Sequence, residues 1–235
     1  MLELYKLDHR ISFPAPERAL EEPSGLLAFG GDLCVERLLF AYSHGIFPWY
    51  SEGEPILWWS PEPRGILPLK QFICSKSLQK FIRKTQLCVT LNYAFDDVIQ
   101  ACANIPRNDA GTWISKQMIN AYRNMHREGH AQSVEVWNNG QLVGGLYGVT
   151  VGQVFCGESM FHRTTNASKL AMYYLVEHLK AQGAGFIDCQ LQNPHLASLG
   201  CVTISRKEFL KKLAKSSLIE FKQDSWQPMV FKGTL

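Results

Sequence analysis

The chain has no run of roughly 18 or more apolar residues, so nothing in its 235 residues reads as a membrane span. Its opening, MLELYKLDHR, carries acids and lacks an apolar stretch behind a basic start, which predicts no secretory leader. The seven cysteines are scattered and form no C-x-x-C pair. That spacing predicts free thiols in a reducing cytoplasm and no metal site. There is no P-loop, no H-E-x-x-H and no G-x-S-x-G, which removes phosphate-loop, zincin and nucleophile-elbow chemistry. Charge of one sign is also scarce. A formal net charge of +3 argues against a protein that binds nucleic acid with its whole surface and leaves room for a local basic patch.

What is present divides at about residue 62. The first part is rich in proline, glycine and aromatics, as in FPAPERALEEPSGLLAFGGDL and ILWWSPEPRGIL. One helix reads there, over 34–44, with Gly45 as its stop, among short strands and turns. This predicts a small N-terminal domain over 1–62 and a second domain over 63–235.

The second part is more regular. SKSLQKFIRK predicts a helix capped by Ser75, CVTLNYAF a strand, and ISKQMINAYRNMHREG a Ser-capped helix stopped at Gly129. Three strands follow, SVEVW, QLVGGLYGVT and QVFCGESMF. Asn139-Gly140 forms a tight hairpin turn between the first two, since both residues tolerate positive φ. NASKLAMYYLVEHLKAQG is a long helix, GFIDCQ a short buried strand, and RKEFLKKLAK a basic closing helix. An antiparallel meander joined to a βαβ crossover is an α+β domain, a mixed sheet flanked by helices, with the topology of the N-acyltransferase fold.

Three features point toward chemistry. Glu158 stands in an apolar run, FCGESMF, at the end of a meander strand. The crossover places GFIDCQ beside it, where Asp188 and Gln190, two apart, point to one face. The three converge where adjacent strands splay, and acids in apolar surroundings attract a cation such as an amine. The residue types alone leave open that each only bonds backbone. Second, Trp49, Trp58, Trp59 and Trp113 sit beside Pro and Gly, outside periodic elements, as core caps or as platforms for a nucleobase. Third, Lys76, Lys80, Arg83 and Lys84 share one side of their helix with no acid between them, either a solvated face or a phosphate track. A missing feature narrows the reaction. HRTTNASK, which precedes the long helix, contains no glycine, whereas acetyl-CoA enzymes of this fold need a glycine-rich turn to hold the pyrophosphate.

GLLAFGGDL, AYSHGIFPWY, PILWWSPEPRGIL, GTWIS, AYRNMHREGHAQSVEVWNNGQLVGGLYGV, FCGESMFHRTTNASKLA, IDCQLQNPHLASLG and ISRKEFL together resemble the bacterial leucyl/phenylalanyl-tRNA–protein transferases, over about residues 10–212. The resemblance implies a cytoplasmic, monomeric enzyme that uses neither CoA nor metal. Such an enzyme moves Leu, Phe or Met from aminoacyl-tRNA to the α-amino group of proteins beginning with Arg or Lys, marking them for degradation. It implies that Trp49 and Trp113 sandwich the terminal adenosine of the tRNA. The aminoacyl side chain would enter a pocket of Leu146, Phe155, Met160, Met172, Leu175 and Ile187, with Gly157 and Ser159 also binding substrate. Lys76, Lys80, Arg83 and Lys84 would bind tRNA. Glu158, Asp188 and Gln190 would be catalytic: Glu158 holds the aminoacyl α-ammonium, and Asp188 polarises Gln190 as the acceptor that orients the incoming amine.

Overall fold

The computed structural model describes residues 4–105 and 114–234. Strands β1 (Tyr5–Leu7), β2 (Leu26–Gly30), β3 (Phe47–Pro48) and β4 (Leu57–Trp59) form a four-stranded sheet in the order β1-β2-β4-β3. Helix α1 (Val35–Ser43) lies between β2 and β3, one residue shorter at each end than its sequence suggests. It stops at Gly45, whose φ of +72° is the left-handed conformation that ends helices and that glycine adopts without steric cost.

The remaining strands are β5 (Arg64–Pro68), β6 (Cys88–Leu91), β7 (Ala131–Asn138), β8 (Gln141–Val151), β9 (Val154–His162), β10 (Phe186–Gln190), β11 (Val202–Ile204) and β12 (Met229–Lys232). They make one mixed sheet in the order β11-β5-β10-β9-β8-β7-β6-β12. The helices are α2 (Lys76–Lys84), α3 (Phe95–Asn104), α4 (Lys116–Arg127), α5 (Ala167–Ala181), α6 (Pro194–Ser198) and α7 (Arg206–Ser216). Local chemistry sets several boundaries. The Ser75 hydroxyl accepts from Leu78 N–H, and the Ser115 hydroxyl from Met118 N–H, each at 3.2 Å. Asn139 and Gly140, with φ of 49° and 76°, turn β7 into β8. The meander β7-β8-β9 and the parallel crossover from β9 through α5 to β10 form the mixed, helix-flanked sheet expected from the sequence.

Three details depart from the sequence reading. The strand beginning at Cys88 ends at Leu91, because Asn92 takes φ 58° and its side chain binds the backbone of Ser133 and Trp226. Phe95, assigned to that strand, instead opens α3. Strands β5 and β12 were not foreseen, and β5 occupies the place between β10 and β11.

The sheet is buried on both faces. On one, Leu170, Ala171, Met172 and Leu175 of α5 pack on Val134, Leu146, Phe155 and Ile187. On the other, α1, α3 and α4 pack on Tyr147, Val149 and Cys156, and that cluster runs on without a break into Leu27, Ala28 and Trp58 of the smaller sheet. Among the described residues no helix is long and apolar enough to cross a membrane.

Candidate active site

Strands β9 and β10 pair in register at only two places, Phe155 with Ile187 and Cys156 with Asp188. Beyond them β9 continues along β8, while β10 kinks. The register against β5 slips between Asp188 and Gln190, and Gln190 adopts a φ of 54°. An inserted residue bends a strand and releases it from its neighbour, so the two strands part at Gly157. A cavity of about 380 Å³ opens in the gap, near the lower limit for sites that enclose a small molecule.

Leu146, Phe155, Met160, Met172 and Ile187 line its apolar side. Gly157, Glu158 and Ser159 line it from β9 and Gln190 from β10. Trp49 also borders it, 42% exposed, with its ring edge-on to Trp59 at 5.5 Å and its backbone carbonyl accepting from the Trp59 indole at 2.6 Å. Leu175 of α5 is fully buried and does not line the cavity. Trp113 lies outside the described residues.

Glu158 is the carboxylate of the cavity wall. Its Oε2 accepts from the Tyr122 hydroxyl at 3.0 Å and its Oε1 from the Gln190 amide nitrogen at 3.1 Å. Behind Tyr122, the Tyr42 hydroxyl lies 2.6 Å away. Burial pushes the Glu158 carboxyl up to about 7; the Tyr42 and Tyr122 hydroxyls pull it down, Asp188 raises it and Arg64 lowers it. Both phenols are raised well above their ordinary value, first by burial and then by the Glu158 charge. They therefore remain hydrogen-bond donors at any working pH.

Asp188 is placed differently. Its carboxylate is 1% exposed and held bidentately by Arg64, at 2.8 Å from Nε and 2.6 Å from Nη2. Arg64 is itself 1% exposed, donates to the Gly45 carbonyl at 2.9 Å, and lies over the rings of Phe47 and Phe209. With both Asp188 oxygens occupied, the expectation that Asp188 and Gln190 both face the cavity holds for Gln190 alone. Asp188 Oδ1 accepts from Gln190 N–H at 3.0 Å, which pins the kink that turns Gln190 toward Glu158.

On α2 only Leu78 is fully buried. Lys76, Lys80, Arg83 and Lys84 are exposed and make no ion pair among the described residues. The helix packs on α5, which also supplies Met172 to the cavity. Among the described residues no three His, Cys, Asp or Glu side chains are grouped as a metal site.

The sequence reading missed Arg64, Tyr42 and Tyr122, and it missed Phe47, Asn193 and His195, which also line the cavity. Asn193 caps α6 by accepting from Leu196 N–H at 2.8 Å. A local signal existed only for Arg64, a cation leading straight into the apolar strand GIL.

The mixed sheet parts between two parallel strands, and an apolar hollow, a carboxylate and an amide meet at the gap. Residues 66–214 match the family model of leucyl/phenylalanyl-tRNA protein transferase, and residues 31–62 match that of its N-terminal domain. The leucyl/phenylalanyl-tRNA–protein transferase of Pseudoalteromonas atlantica is 63% identical over 228 residues, covering 97% of each chain. That of Tolumonas auensis is 53% identical over 227 residues, again covering 97% of each. Among solved structures, L-PGS from Bacillus licheniformis aligns at 12% identity and a TM-score of 0.38, covering 68% of this chain and 51% of that one. The chain belongs to the leucyl/phenylalanyl-tRNA–protein transferase family. It is an aminoacyltransferase, with an aminoacyl-tRNA as donor and a protein as acceptor.

Proposed function

We propose that the cavity receives the leucyl, phenylalanyl or methionyl side chain of an aminoacyl-tRNA, and that the acceptor is the α-amine of a protein beginning with Arg or Lys. The observation that carries this reading is the pairing of an apolar hollow of about 380 Å³ with one carboxylate, Glu158, at its wall. The hollow takes an unbranched or γ-branched side chain, and the flexible thioethers of Met160 and Met172 adapt to either Leu or a Phe ring. Discrimination against β-branched residues then rests on shape, worth about 1–3 kcal/mol per methyl. Glu158 holds the α-ammonium of the donor. Trp49, exposed at the rim, stacks on the terminal adenosine together with Trp113. The exposed cations of α2 follow the phosphates of the tRNA.

In the reaction the acceptor nitrogen attacks the ester carbonyl carbon, the bond from that carbon to the ribose oxygen breaks, and the surplus proton ends on that oxygen. An α-amine with a pKa near 7.7–8.0 is already partly neutral at cellular pH, so positioning supplies much of the rate. Gln190 is a positioner and no base. Its amide nitrogen is given to Glu158, which leaves its oxygen to accept from the incoming amine. Asp188, held by Arg64, fixes Gln190 through its backbone. The enzyme works as a cytoplasmic monomer of two parts, 1–62, which adds Trp49 to the donor site, and 63–235, which holds most of that site and carries out transfer, and its products are marked for degradation.

The test offers radiolabelled Leu-tRNA or acetyl-CoA to peptides beginning with Arg or with Ala. Label should move from Leu-tRNA to the Arg peptide alone. Transfer from acetyl-CoA, or equal labelling of the two peptides, would overturn the reading.

A further inference from the structure

Two phenols stand behind Glu158 and do not line the cavity. Tyr42 belongs to α1 and Tyr122 to α4; they are 1% and 0% exposed. Their order is fixed by the bonds themselves. Tyr122 gives its proton to Glu158 Oε2 at 3.0 Å, so the 2.6 Å contact between the phenols is a donation from Tyr42 to the Tyr122 oxygen. The result is a directed chain, Tyr42 to Tyr122 to Glu158, with every dipole pointing its positive end at the carboxylate. Gln190 closes the other oxygen at 3.1 Å.

We propose that Tyr42 and Tyr122 are positioning residues for the transfer: a two-hydroxyl chain that favours the carboxylate form of Glu158 and holds it in the cavity wall to receive the donor's α-ammonium. The proposal rests on the reading of Glu158 given above, and adds that its charge is maintained from the small-sheet side of the molecule. Three observations favour it over mere packing. A phenol pair buried for bulk alone would be served equally by phenylalanine, since a lone buried hydroxyl must be paired to avoid a desolvation penalty. Hydrogen bonds onto the charged form of an acid favour that form, and a polarised chain strengthens its terminal bond. The remaining charges around Glu158 also leave work for the chain. Asp188 on β10 opposes ionisation and Arg64 on β5 supports it, but the two are locked to each other. Cys156 on the same strand and Tyr147 on β8 are buried, and His195 of α6 lines the cavity. With the Gln190 amide on Oε1, the phenols supply the neutral donors to Glu158, and they alone reach it from the side of α1 and α4.

The experiment titrates the carboxyl carbons of 13C-labelled glutamate in the full-length protein, with the Glu158 resonance assigned by its loss in Glu158→Gln. The native midpoint should lie at about 7. In Tyr122→Phe it should rise by about one to two pH units, the scale of one hydrogen bond to a charged group. In Tyr42→Phe it should rise in the same direction. Binding of an amide-linked phenylalanyl-adenosine at pH 7 should weaken about tenfold in Tyr122→Phe, and the des-amino analogue should bind the native protein and the variant equally. An unmoved midpoint in both phenylalanine variants would overturn the inference. Should Tyr122→Phe fail to fold, Tyr42→Phe still decides the direction. The underlying reading fails separately: if Glu158→Gln binds the amide-linked analogue as tightly as the native protein does, Glu158 does not hold the ammonium, whatever the phenols do.

Discussion

Glu135 and Asp188 make an instructive pair to set against Glu158, because the first two are fully buried acids, Glu158 is half-buried, and only Glu158 has anything left to offer. Glu135 is fully buried and collects four donors, the Ser133 and Thr90 hydroxyls and the N–H groups of Tyr93 and Ala94 at the start of α3. Burial raises its carboxyl too, and those four bonds pull it down. A helix N-terminus is a favourable place for such a charge. Asp188 spends both oxygens on Arg64 and one of them again on Gln190. Glu158 has two donors and a cavity in front of it. A raised carboxyl therefore does not distinguish a structural acid from a functional one. Unspent acceptor capacity facing a hollow does.

The comparison breaks most easily at Asp188. Arg64→Ala leaves a buried carboxylate without its partner, which costs about 3–5 kcal/mol of stability. Replacing Arg64 with Met and Asp188 with Leu together should recover most of that loss. Urea unfolding of the three proteins checks both statements, and a loss below about 1 kcal/mol in Arg64→Ala would mean that Asp188 is not held as described.

A sharper cut separates the two glutamates. Glu135→Gln replaces acceptors with an amide that brings donors of its own, and should lose about 1–3 kcal/mol while aminoacyl transfer per folded molecule stays intact. Glu158→Gln should do the reverse, lowering transfer about ten- to a hundredfold, the worth of a charged contact. Its stability effect has a definite sign. The folded carboxyl titrates at about 7, above its ordinary value of 4.5, so the folded state binds more protons across that interval and the native protein loses stability as pH rises through it. A glutamine does not titrate. Glu158→Gln should therefore gain stability relative to the native protein between about pH 4.5 and pH 7 and keep the gain above. Thermal melts of both proteins at pH 5 and pH 8 read this directly, and a difference independent of pH would mean that the Glu158 carboxyl is not raised in the folded state.

The smallest effect is expected at the rim of the electrostatics. Lys80→Ala with Arg83→Ala should flatten the salt dependence of tRNA binding by about 0.7–0.9 log units per log salt for each phosphate left without its cation. An unchanged slope would make that face of α2 a solvated surface.

Much of this was legible in the chain. Ser75, Ser115, Asn139-Gly140 and Gly45 act within a few residues of themselves, so their caps and turns could be read directly. The crossover through α5 followed from its apolar face, and with it the neighbourhood of Glu158 and β10. What escaped depends on distant partners. Arg64 meets Asp188 across 124 positions and Tyr42 meets Tyr122 across 80; nothing near any of them announces the other. Strand β5 is five residues after a proline, with its partners on β10 and β11 far along the chain. The two-apart spacing of Asp188 and Gln190 was misleading for a related reason, since the kink between them is set by β5 and by Oδ1 of Asp188.

The apolar cluster that runs from Leu7 to Leu213 across both sheets carries a consequence for modularity. Residues 1–62 bring Phe47 and Trp49 to a cavity whose floor is built by the rest, and bring Tyr42 to Tyr122 behind its wall. Cutting the chain at the junction would bare two wide greasy surfaces at once, and neither half would carry a whole site. Recombination between relatives should therefore succeed only when both halves travel together, which makes the smaller sheet an inseparable part of the enzyme and rules it out as an interchangeable attachment.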